Sequence, residues 1–243
     1  MAAVKHHTLE KELAAIPQGQ IPNLFLIFGE AYLAKEAYEK LESFLIHADS
    51  NELTIEKLDG AVTPVGDIVE QTATFSFLAP RKMTVVTKIP LFQADSSASV
   101  RYTDSEYRVL ENFIKGGWPA EHILVLITGQ GDRRKKIFKT IDSHGMAIDC
   151  TVPSGARKAD RDEQRAVLQS VTARVLEKHG KQIDGPAFHS LVDRTGFNLD
   201  TLVTNLEKLS AFTADRSSIS TEDVSRVVVR EKKDPIFNLT NAI

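Results

Sequence analysis

The chain has 243 residues, 42% hydrophobic and 26% charged, an ordinary globular composition that excludes collagen-like, mucin-like and wholly disordered classes. Thirty Lys and Arg against 33 Asp and Glu leave a net charge of −3, so the chain as a whole is not a strongly basic nucleic-acid binder. No apolar run approaches the ~20 residues a membrane-spanning helix needs, and Met1–His7 lacks the apolar stretch and cleavage site of a secretory signal.

From Ile21 to Cys150 short apolar runs alternate with amphipathic stretches. Leu24–Phe28 is a continuous apolar run ending at Gly29, as expected of a strand buried on both faces. Leu33, Ala37, Leu41 and Leu45 recur every fourth residue among Glu and Lys, which predicts a helix with one apolar stripe. Ile55–Leu58 is a weak strand candidate, Val65–Thr72 a short helix, and Met83–Thr87 a second good strand. Gln93–Ser99 reads as a polar loop. Ser105–Lys115 reads as a helix stopped by Gly116-Gly117, and His122–Thr128 is the strongest strand of the chain. A basic helix over Arg133–His144 and a strand over Ala147–Thr151 follow. This alternation predicts an α/β domain, a parallel sheet flanked by helices, over residues 1–152.

The pattern changes at Val152-Pro153-Ser154-Gly155 and the charged run Arg157–Glu163, which mark a boundary. Beyond it only helices are expected: one carrying Val167, Leu168, Val171 and Val175, one capped by Asp184, one from Asn198, and one opened by Ser220 and Asp223 as a capping-box-like pair. Residues 153–233 thus read as a small all-helical bundle. Asp234-Pro235 then reads as an N-cap and first-turn proline, with Ile236, Phe237, Leu239 and Ile243 beginning another helix. Residues 234–243 are expected to open a third, truncated domain.

Most familiar chemistries lack their residues. A phosphate-binding loop needs a Gly-rich turn after a strand, a Lys, and a Ser or Thr for magnesium. After Phe28, Gly29 and Lys35 fall at the right spacing, but Ala34 replaces the second glycine and Glu36 the hydroxyl. This is a degenerate phosphate loop or an ordinary strand-to-helix turn, and ATP hydrolysis is not expected from either. The strand Ile123–Ile127 closes in Thr128-Gly129-Gln130 without the acidic pair that would hold magnesium and activate water. There is no Gly-x-Ser-x-Gly elbow, and the seven histidines show no metal-ligand spacing. The single Cys150 forbids an intramolecular disulfide or a Cys-rich zinc module, and reads as a small buried apolar residue. Arg133-Arg134-Lys135-Lys136 reads as a nucleic-acid backbone contact or a solvated basic helix start. The chain reads as a cytoplasmic binder, without cofactor or metal.

Four phrases in order carry a family resemblance: Asn23–Glu30, Phe75–Val86, Gly196–Leu209, and Ile219–Val224 leading into Asp234–Leu239. Together they resemble the delta subunit of the bacterial DNA polymerase III clamp loader. The resemblance implies an AAA+-like first domain without nucleotide hydrolysis, a small helical second domain, and a helical collar of which only the start is present. It implies a non-catalytic subunit of the polymerase holoenzyme. The implied partners are the sliding clamp (the beta subunit), the gamma/tau and delta-prime subunits reached through the collar, and primed DNA, with no membrane. In the family an apolar pair inserts into a pocket on the ring-shaped clamp and opens it. The matching pair is Phe77 and Leu78, in the reverse of the commoner Leu-Phe order. Composition alone would put the pair in the core; the resemblance makes it the wedge. The alternatives are an active P-loop ATPase and a direct DNA-binding protein using Arg133–Lys136 with Arg157, Lys158 and Arg161. The sister delta-prime subunit is disfavoured, because its four-cysteine zinc module and Ser-Arg-Cys motif have no counterpart here.

Overall fold

The computed structural model describes residues 3–17, 19–48, 52–76, 79–92 and 102–229. Phe77, Leu78, the loop over Gln93–Ser99 and the helix start at Asp234 lie outside the described residues. The chain divides into two compact units, Met1–Val152 and Pro153 onward.

In the first unit six parallel strands form one sheet: β1 (Val4–Lys5), β2 (Leu24–Gly29), β3 (Leu53–Asp59), β4 (Arg81–Thr87), β5 (His122–Thr128) and β6 (Met146–Cys150). Their spatial order is β1-β6-β2-β5-β4-β3. Because side chains alternate across a strand, Leu24, Leu26 and Phe28 of β2 face one core with Val86, Leu124 and Leu126. That core is closed by α3 (Val65–Ala73), α4 (Asp104–Gly116) and α5 (Lys136–His144), through Ile68, Leu110, Ile114, Phe138 and Ile141. Phe25 and Ile27 have the opposite parity and are fully buried; on their side pack α1 (Leu9–Ala14) and α2 (Ala31–His47). Each such side chain contributes roughly 1.5–3 kcal/mol by leaving water.

The second unit holds α6 (Lys158–Lys178), α7 (Gly185–Thr195), α8 (Leu199–Phe212) and α9 (Thr221–Val227). Its core is built from Val171, Leu191, Leu202, Leu206, Leu209 and Val224. Asp184 accepts from Ala187 N at 2.7 Å and Asn198 from Thr201 N at 2.9 Å. Ser220 and Asp223 form a reciprocal capping box, and Arg216 grips Asp223 with two nitrogens at 3.0 and 2.7 Å.

Three expectations about elements are corrected. The second unit is not purely helical: β7 (Gln182–Ile183) and β8 (Ser218–Ile219) pair in parallel. They are two residues long, too short to show an alternating pattern. The unit boundary falls at Val152/Pro153 as expected, but the charged run after Arg157 already forms the first turns of α6; its residues are mostly good helix formers whose exposed side chains leave no apolar stripe. The helix expected from Arg133 begins at Lys136, because Asp132 folds the preceding residues into a turn by accepting from Arg134 N at 3.0 Å. β1 and α1 carried no legible signal.

Candidate functional site

The turn after β2 contains the expected phosphate-loop positions, and its geometry is that of a direct strand-to-helix junction. Gly29 ends β2, Glu30 is the N-cap, and α2 begins at Ala31. Ala34 N already donates to Glu30 O at 2.9 Å. Residues 31–34 are therefore helix, and no loop of free amides separates strand from helix. Glu30 also occupies the anion position at the helix N-terminus, its carboxylate accepting from Leu33 N at 2.8 Å. Ala34 is buried; Lys35 points into solvent toward Glu39, 3.9 Å away. Glu36 receives the Tyr32 hydroxyl at 3.4 Å. Gly29, Ala34 and Lys35 line one crevice together, whereas Glu36 is not among its lining residues.

Beside this junction lies a crevice of about 540 Å³ at the carboxyl ends of β2, β4 and β5, floored by Ala34, Val85, Ile127 and Thr128. Carboxyl ends of strands are where open α/β sheets take ligands. Here β4 closes in Thr87-Lys88 and β5 in Thr128-Gly129-Gln130, with no carboxylate at either end. Lys88 has φ 54° and pairs with Asp59 at 3.2 Å. Among the described residues no cluster of His, Cys, Asp or Glu could hold a metal ion, and no helix is long and apolar enough to cross a membrane.

The basic segment has spent much of its charge within the chain. Arg133 donates to Asp149 at 3.0 Å, Arg134 forks onto Asp132 at 2.9 and 3.0 Å, and Lys136 pairs with Glu111 at 2.5 Å. Lys135 is the N-cap residue of α5. The side chain and backbone N–H of Arg134 hold the Asp132 carboxyl down at about 2. Of the second unit's basic residues, Arg165 bonds the His189 ring at 3.0 Å.

The α3–β4 connection, in which Phe77 and Leu78 fall by sequence, is anchored on both described sides. At the end of α3, His122 Nδ1 meets Thr72 O at 2.8 Å, and Lys82 Nζ donates to Thr74 O at 3.3 Å. Phe75 is 68% exposed, its ring edge-on to His122 with 5.1 Å between centroids. After the pair, Ala79 is buried and donates to Ser76 Oγ at 3.3 Å. Arg81 then donates to Leu45 O at 3.0 Å. Sequence reading passed over Lys82 and His122. Each carries a polar side chain into the sheet, and only the register that sets Lys82 beside His122 reveals the pair.

The family described as DNA polymerase III, delta subunit, matches residues 25–151, more than half of the chain. The chain belongs to this family. The DNA polymerase III subunit delta of Bacillus subtilis (strain 168) is 22% identical over 231 residues, covering 94% of this chain and 63% of the relative. The Bacillus subtilis DNA clamp loader delta protein (YqeN) superposes with a TM-score of 0.58 at 20% identity, covering 97% of this chain and 66% of that one. The Thermotoga maritima RuvB Holliday junction branch migration motor gives a TM-score of 0.55 at 13% identity, over 91% of this chain and 67% of that one. The chain thus spans a little under two thirds of the length of its delta relatives. The fold is AAA+-like, as the resemblance implied, with the parallel sheet flanked by helices that the sequence pattern predicted.

Proposed function

We propose that this chain binds a ring-shaped sliding clamp and opens it during DNA replication, without hydrolysing ATP. The observation that carries the reading is the family match over residues 25–151, a stretch that includes Phe77 and Leu78. The pair inserts into an apolar pocket beside a clamp subunit interface. Burying two such side chains contributes ~1.5–3 kcal/mol each, enough for an anchor of the hot-spot kind. Opening requires more than tight binding. The pair must fit the open ring better than the closed one, since equal affinity for both states shifts nothing.

The β2–α2 junction supports the nucleotide-free part. A carboxylate seated on the helix N-terminus repels phosphate, and Ala34 and Glu36 stand where the second glycine and the magnesium-binding hydroxyl of a phosphate loop would be. Arg133–Lys136 enter the reading only within a whole loader on primed DNA, because their charge is largely committed to Asp149, Asp132 and Glu111. The other loader subunits, gamma/tau and delta-prime, would be met through a collar domain, in the cytoplasm.

Equilibrium binding to the clamp of the same organism tests the reading, wild type against Phe77→Ala/Leu78→Ala. The double variant is expected to lose at least a hundredfold in affinity (about 3 kcal/mol) at an unchanged melting temperature. Retained binding would contradict the wedge, and a large fall in melting temperature would place the pair in the core.

A further inference from the structure

An ammonium inside a sheet is costly, and an apolar side chain of similar length would suit a core better. Lys82 of β4 is such a group, with a side chain 2% exposed. Its Nζ lies 3.0 Å from Glu56 Oε2 on β3 and donates to Thr74 O at 3.3 Å. On the neighbouring strand β5, in register with Lys82, His122 approaches Thr72 O with Nδ1 at 2.8 Å. A carbonyl only accepts, so this nitrogen carries the proton. Thr72 and Thr74 stand at the C-terminus of α3, where the last carbonyls have no helical partner and the helix dipole favours a cation. Two side chains rising from the sheet thus close the end of α3, and the His122 ring also backs Phe75.

We propose that Lys82 is a positioning residue for clamp docking. Its ammonium fixes the carbonyl end of α3, and with it the direction in which the chain departs toward Phe77 and Leu78. This rests on the clamp reading above and adds what prepares the pair for use. A segment that must be ordered at the moment of binding loses affinity to that ordering. The apparent dissociation constant rises as the ready fraction falls. Glu56 meets the ammonium from a part-exposed position on the neighbouring strand, so the pair buries no carboxylate deep in the core.

The test measures clamp affinity and amide hydrogen exchange on the full chain for wild type, Lys82→Met and Phe77→Ala/Leu78→Ala. Lys82→Met is expected to keep its melting temperature, to speed exchange at Thr74, Phe75 and Ser76, and to bind the clamp about tenfold more weakly. Should it fail to fold, Lys82→Gln, which keeps a donor without the charge, carries the same expectations at smaller amplitude. Wild-type affinity and exchange in a folded Lys82 variant would overturn the positioning role and leave the clamp reading standing. Exchange that rises evenly through the whole first unit would also overturn it, making Lys82 merely structural. Tight clamp binding by the double alanine variant would instead overturn the clamp reading itself.

Discussion

Gly29 shows how one residue type can serve two explanations. Its spacing to Lys35 suits a phosphate loop, yet its φ is +127° and a Cβ there would overlap the backbone of Cys150 and Thr151. The glycine is required by the close approach of β2 to β6, whatever binds nearby. Cys150 on the facing strand is fully buried. Burial pushes its thiol up to about 12, and the carboxylates of Asp149, Glu30 and Glu36 add to the rise. A buried thiol that stays protonated is not a nucleophile. Iodoacetamide at pH 8 is expected to leave Cys150 unmodified in the folded chain and to label it once urea unfolds the protein; rapid labelling of the native form would contradict its placement. The sequence reading of Cys150 as a buried apolar residue needed only its neighbours in a strand. Lys82 and His122 were illegible by the same means, since a lone Lys or His beside a strand looks like its solvated end.

At the scale of elements, the edge strand β1 depends on one carboxylate. Among the described residues, Val4↔Ile148 and Lys5↔Asp149 pair it to β6. Asp149 Oδ2 then receives Lys5 Nζ and Arg133 Nη2, both at 3.0 Å, while Oδ1 accepts from Thr151. Burial raises the Asp149 pKa, but the Thr151 hydrogen bonds and Lys5 outweigh it, so the net direction is down. A depressed folded value means that the group stabilises the fold above the unfolded pKa of ~3.9 and loses that contribution as pH falls through the folded value. Asp149→Asn is expected to cost about 2 kcal/mol at pH 7, and the gap from wild type should narrow below pH ~4 in urea titrations. A gap independent of pH would show that the charge does not matter. These contacts also explain what the sequence left hidden. β1 is too short for periodicity, and its partner lies far along the chain. β2, β5 and the capped starts of α7, α8 and α9 were legible, because continuous apolar runs and Asp, Asn or Ser caps act locally.

For the whole molecule, the family is that of the DNA polymerase III delta subunit and the fold is AAA+-like, while the wedge is a proposal about a pair outside the described residues. The chain spans 63% of the Bacillus subtilis relative, and the proposal requires that this length suffices to act on a clamp. A donor and an acceptor dye placed across one clamp subunit interface report ring opening directly. Saturating wild-type chain, with no nucleotide present, is expected to separate the dyes, and Phe77→Ala/Leu78→Ala to leave them together. A ring that stays closed under saturating wild-type chain, or that opens only when ATP and magnesium are added, would contradict the account.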